Sequence, residues 1–70
     1  MNLNPERNKE IIAQLNNARQ LEEASIRHYR HLSSFLTDPH ELETFLRFIE
    51  EKRQRIVQID QVIKLLDIQN

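Results

Sequence analysis

Cysteine, glycine and tryptophan are all missing from this 70-residue chain, and proline occurs only twice. Without cysteine there is no disulfide staple and no thiolate metal site. Without glycine, turns that need a left-handed backbone are costly, because glycine is the residue that visits positive φ freely. A sheet protein needs several such turns, whereas a helical hairpin needs one. No charge of one sign dominates either: ten basic and eleven acidic side chains leave a net charge of -1. That balance supplies no electrostatic case for a nucleic-acid surface, which normally shows a basic excess. No apolar run is long enough to span a bilayer, and no charged-then-apolar leader opens the sequence. These features lead us to expect a cytoplasmic protein with no membrane partner.

What is present is rich in Leu, Ile, Glu, Gln, Arg and Lys, mostly strong helix formers. Asn4-Pro5-Glu6 reads as a helix start: an Asn cap, a Pro whose fixed φ suits the first helical position, and an acid that suits the helix dipole. Nothing interrupts the pattern until Thr37-Asp38-Pro39-His40-Glu41. There Pro39 would clash inside a helix and pushes Asp38 out of helical space. Asp38 as cap, Pro39 as first residue and Glu41 at the third position make a capping box. The expected fold class is all-α, one domain over residues 1–70. It comprises a helix over 5–36, a turn at 37–38 and a helix over 39–67, with residues 1–3 frayed. No internal repeat or linker is visible.

Both helices carry a heptad stripe. In the second it runs Leu42, Phe45, Ile49, Lys52, Ile56, Ile59, Ile63, Leu66, with steps of three and four. In the first it runs Ile11, Leu15, Ala18, Glu22, Ser25, Tyr29, Leu32, Leu36. Paired antiparallel about the turn, residues whose numbers sum to 74 share a layer. One rule then sets Leu32 with Leu42, Tyr29 with Phe45, Ser25 with Ile49 and Ile11 with Ile63. It also sets the one acid of the first stripe, Glu22, opposite the one base of the second, Lys52. These two side chains either form a partly buried ion pair that holds register or snorkel to the wet edge of the seam.

A two-helix seam cannot cover all the apolar residues. Ile12, Leu21, Ile26 and Phe35 flank the first stripe, and Leu46, Phe48, Val57, Val62 and Leu65 flank the second. A face this broad belongs to a bundle helix with more than one neighbour. Dimerisation of the hairpin into a four-helix bundle is the simplest closed, symmetric solution.

Chemistry-bearing patterns are sparse. His28 and His31 lie at i, i+3 and His40 near the same end, so with Glu22 or Glu51 they are candidate metal ligands. Ser33 and Ser34 near His31 sit on a helix with no glycine elbow, and no residue is assigned a catalytic role. Arg27 with Arg30, and Lys52, Arg53 and Arg55, form basic clusters interleaved with acids, as on a solvated face.

The run Glu22-Glu23-Ala24-Ser25-Ile26-Arg27-His28-Tyr29, followed by Asp38-Pro39, Phe45 and Ile49-Glu50-Glu51, resembles the helical hairpin of ferritin-like proteins of the rubrerythrin type. The resemblance covers residues 15–66 and implies a four-helix bundle with a di-metal carboxylate site. The chain departs from the family where it matters. The family's second helix carries Glu-x-x-His, whereas here Glu50 leads to Arg53 and Glu51 to Gln54. The resemblance therefore implies a relative whose metal site has been lost, and no cofactor is expected. The expected function is a non-enzymatic interaction module (regulatory, chaperone-like or scaffolding) that binds itself and another protein through helix faces. Its contact residues would be Phe35, Leu46, Phe48, Val57 and Val62. A metal-binding bundle subunit and an RNA- or DNA-binding hairpin dimer are the alternatives.

Overall fold

The computed structural model describes residues 4–68, so the expected fraying of residues 1–3 lies outside the described residues. It contains two helices, α1 over Pro5–Ser33 and α2 over Pro39–Ile68, packed antiparallel. The hairpin measures 51 × 16 × 11 Å. Its length is what ~30 residues at 1.5 Å rise require, ~45 Å plus the turn.

Local chemistry sets the helix ends. Asn4 adopts an extended backbone and its Oδ1 accepts from the Arg7 N–H at 3.1 Å, with Pro5 following as the first helical residue. At α2 the Asp38 Oδ1 accepts from the His40 N–H at 2.9 Å, while its carbonyl accepts from Leu42 at 3.0 Å. Asp38 is thus the expected cap, but through the second helical residue; neither bond of the expected capping box, from the Glu41 N–H to Asp38 or from the Asp38 N–H to the Glu41 carboxylate, is formed.

The first helix stops at Ser33, three residues before the expected end at Leu36. The N–H groups of Ser34, Phe35 and Leu36 each reach back only three residues, at 3.1–3.2 Å, so the last turn tightens. The Ser33 and Ser34 hydroxyls donate to the carbonyls of Arg30 and His31, capping groups that a further helical turn would have used. No described residue has positive φ, so the hairpin turns without the left-handed cap that glycine usually supplies. The second helix runs one residue past its expected end, to Ile68.

The seam follows the 74 rule. The Tyr29 and Phe45 rings meet edge-on at 6.0 Å, and Phe48 closes a three-ring cluster at 5.5 Å from Tyr29 and 5.6 Å from Phe45. Such pairs contribute about 0.5–1.5 kcal/mol each beyond their buried area. The buried apolar side chains are Ile26, Ile49 and Ile59. Ile26 was expected on a flank and Ser25 in the seam. The first helix is turned so that Ile26 is buried and Ser25 only half-buried, which puts the larger apolar surface inside. The rule also reaches one layer further than expected, setting Asn8 level with Leu66. Asn8 is fully buried; its Oδ1 accepts from Arg7 at 3.5 Å and its Nδ2 has no partner.

Candidate functional site: the polar layer and the two flanks

The central layer of the hairpin is charged. Lys52 Nζ lies 3.3 Å from both Glu22 oxygens, donating to Oε1, while Oε2 is out of line for a hydrogen bond and has no other donor. The Glu22 side chain is 17% exposed and that of Lys52 33% exposed, so the pair forms at the edge of the seam rather than in open water. Of the two readings open from the sequence, the ion pair is the one adopted. Its contribution is chiefly register, since desolvation offsets much of the attraction.

The layer has a consequence for the ferritin-like resemblance. In that family facing glutamates hold metal; here the ammonium group already occupies the space in front of Glu22. Glu51 is exposed, as are His28, His31 and His40. His31 lies edge-on against Phe35 at 5.2 Å, and His28 lies 6.5 Å from Tyr29. Among the described residues no three His, Asp or Glu side chains converge where a metal ion could bind. These residues do not fit the di-metal centre that the resemblance implies.

The second basic cluster is dispersed in the same way. Successive helical residues point 100° apart. Lys52 therefore faces the seam, Arg53 one flank and Arg55 the other. Arg27 and Arg30, three residues apart, lie within about 60° of each other and are both exposed, so only that pair shares a side.

A further ion pair was not anticipated. Arg19 donates to Asp60 on the opposite helix at 3.0 Å and to Asn16 at 3.0 Å, and its Nε lies 3.8 Å from Glu23. Both partners across the seam are more than a third exposed, so the bridge is worth no more than about 1 kcal/mol. Its value is diagnostic, because it shows which edges of the two helices adjoin. The seam rule does not reveal it, because that rule sets Arg19 level with Arg55 and Asp60 level with Gln14, five residues away in each case.

The remaining feature is apolar exposure. The five residues expected to make contacts are all exposed, from 37% at Phe48 to 71% at Phe35. Leu21, expected only as a flank, is 69% exposed, and Leu65 and Ile68 are exposed as well. Ile12, by contrast, is half-buried. The described residues enclose no cavity, so any binding here is binding on a surface. No described helix is long and apolar enough to cross a membrane. No family model, curated protein or solved structure matches this chain, so its reading rests on its own residues and surfaces.

Proposed function

We propose that this chain is a helical-hairpin interaction module that acts by binding protein, first of all a second copy of itself, so that two hairpins complete a four-helix bundle. Regulation or scaffolding by such a module works through helix faces docked on a partner.

The observation that carries the reading is surface. The hairpin exposes 5462 Å². A compact monomer of 8.5 kDa would expose about 4,700 Å². The excess, about 800 Å², is what one partner contributes to a standard protein interface. Its radius of gyration is 16.1 Å, against about 11 Å for a compact domain of this length. A closed bundle of two hairpins reduces both discrepancies, because it buries part of the excess surface and thickens the body without lengthening it. The exposed surface is also rich in large apolar side chains, which monomers seldom leave in quantity on so small a body.

Light scattering coupled to size exclusion, over a wide concentration range, tests the reading. The expected result is a species of twice the 8.5 kDa chain mass that dissociates on dilution. A single monomeric species at every concentration, with a cooperative melt, would overturn it.

A further inference from the structure

The hairpin has two sides, and they differ in kind. Residues on one side of the seam recur in steps of three and four. On α1 one flank begins with the exposed charges Arg7 and Glu10 and then reads Gln14, Asn17, Leu21, Ala24, His28, His31: all exposed, with no Asp, Glu, Lys or Arg among these six. The opposite flank of the same helix holds Lys9, Arg19, Glu23 and Arg30. On α2 the flank with Phe48, Val62 and Leu65 carries Glu51 and Arg55 in its middle and Glu41 at its end. The other carries Glu43, Glu50, Arg53, Asp60, Lys64 and Asp67.

The Arg19–Asp60 bridge joins the two charged flanks across the seam at 3.0 Å. In an antiparallel pair the other two flanks must then adjoin as well. The hairpin thus presents one charged side and one nearly neutral side. The neutral side holds Leu21, Phe35, Phe48, Val62 and Leu65, whereas Leu46 and Val57 are isolated among charges.

We infer that the neutral side is the self-association surface, and that it meets a second copy of itself across a two-fold axis passing at the height of Leu21. The inference rests on the self-association proposed above and adds which surface is used and how it is aligned.

Three features fit this alignment. The seam rule puts Leu21 level with position 53, which is midway between Glu51 and Arg55. A two-fold axis at that height, perpendicular to the helices and lying in the interface, brings each helix over its own copy, antiparallel. Glu51 of one chain then faces Arg55 of the other, twice, and the only charges in the middle of the surface neutralise each other. Leu21 packs on its own copy at the axis. Along α2 the same operation sets Phe48 opposite Gln58, Thr44 opposite Val62 and Glu41 opposite Leu65, so no like charges meet. The turns lie at opposite ends of the bundle, and the charged sides face water.

The absence of cysteine makes the test direct. Leu21→Cys and Val57→Cys each introduce a sole thiol at an exposed position, one on each side. The full chain is oxidised in each form while light scattering follows its mass. Leu21→Glu and Val57→Glu are measured in parallel, with circular dichroism to confirm that each remains helical. The expected result is that the Leu21 thiol forms covalent dimers at least about tenfold faster than the Val57 thiol, because association raises its effective concentration. Leu21→Glu weakens the dimer at least about tenfold, as burial of a charge at the centre of an interface should, and Val57→Glu leaves it unchanged.

The failures separate. A wild-type chain that never associates removes the parent reading and this one with it. A dimer disrupted by Val57→Glu but not by Leu21→Glu overturns the surface alone. A dimer sensitive to Leu21→Glu whose Leu21 thiol does not cross-link overturns the placement of the axis.

Discussion

Replacing Lys52 with leucine would leave the Glu22 carboxylate without the ammonium that now lies 3.3 Å away. With 17% of the side chain exposed, water can replace that partner only in part. The expected loss is about 1–3 kcal/mol in urea unfolding at fixed protein concentration. Leucine at both positions should recover most of it, because the seam then continues as apolar packing on both helices. A double variant no more stable than Lys52→Leu would mean that the two residues do not depend on each other. The pairing of Glu22 with Lys52 was legible because each was the only charge of its sign in its stripe. Arg19–Asp60 was not, because charged residues on a flank are numerous and any of several neighbours could have paired. Burial of Asn8 was not legible for another reason: the apolar spacing of α1 begins at Ile11, and a polar residue one step before its first member gives no sign that it is covered.

The helices owe their boundaries to side-chain groups a few residues away. Asp38 supplies both the carbonyl and the carboxylate that begin α2. Asp38→Ala should cost about 1 kcal/mol, read as a lowered thermal midpoint, since the His40 N–H would lose its acceptor. Asp38→Asn, which keeps an acceptor oxygen, should restore most of the loss. The start of each helix was readable from Asn4-Pro5 and Asp38-Pro39, where the cap and the proline agree. The end of α1 was not. Leu36 keeps the heptad spacing and is half-buried, so the apolar pattern continues beyond the point where the backbone leaves the helix. Which carbonyls the Ser33 and Ser34 hydroxyls take depends on backbone geometry that spacing does not reveal.

At the scale of the whole molecule the dominant fact is a shape with too much surface for its mass. If two hairpins share that surface, unfolding is coupled to dissociation and stability depends on protein concentration. The thermal midpoint should therefore rise as concentration increases from micromolar to millimolar, followed by circular dichroism. A midpoint independent of concentration, together with the monomer mass, would mean that the hairpin stands alone. The same comparison should show Val57→Glu behaving as wild type and Leu21→Glu losing most of the concentration dependence.

Composition and spacing were enough to reach an antiparallel pair of helices, the start of the second at Asp38-Pro39 and the register of the seam. The reason is that heptad spacing and proline geometry are local rules, and that one antiparallel turn leaves a single number to find. They also marked the surplus of apolar residues. Division of that surplus between two sides required the packed structure. Phe35, Phe48 and Val62 fall on the neutral side and Leu46 and Val57 on the charged one, although all five were grouped together by sequence. The side each occupies depends on how each helix is rotated about its own axis. Burial of Ile26 in place of Ser25 and the reach of Arg19 to Asp60 set that rotation, and both are contacts that exist only once the two helices have met.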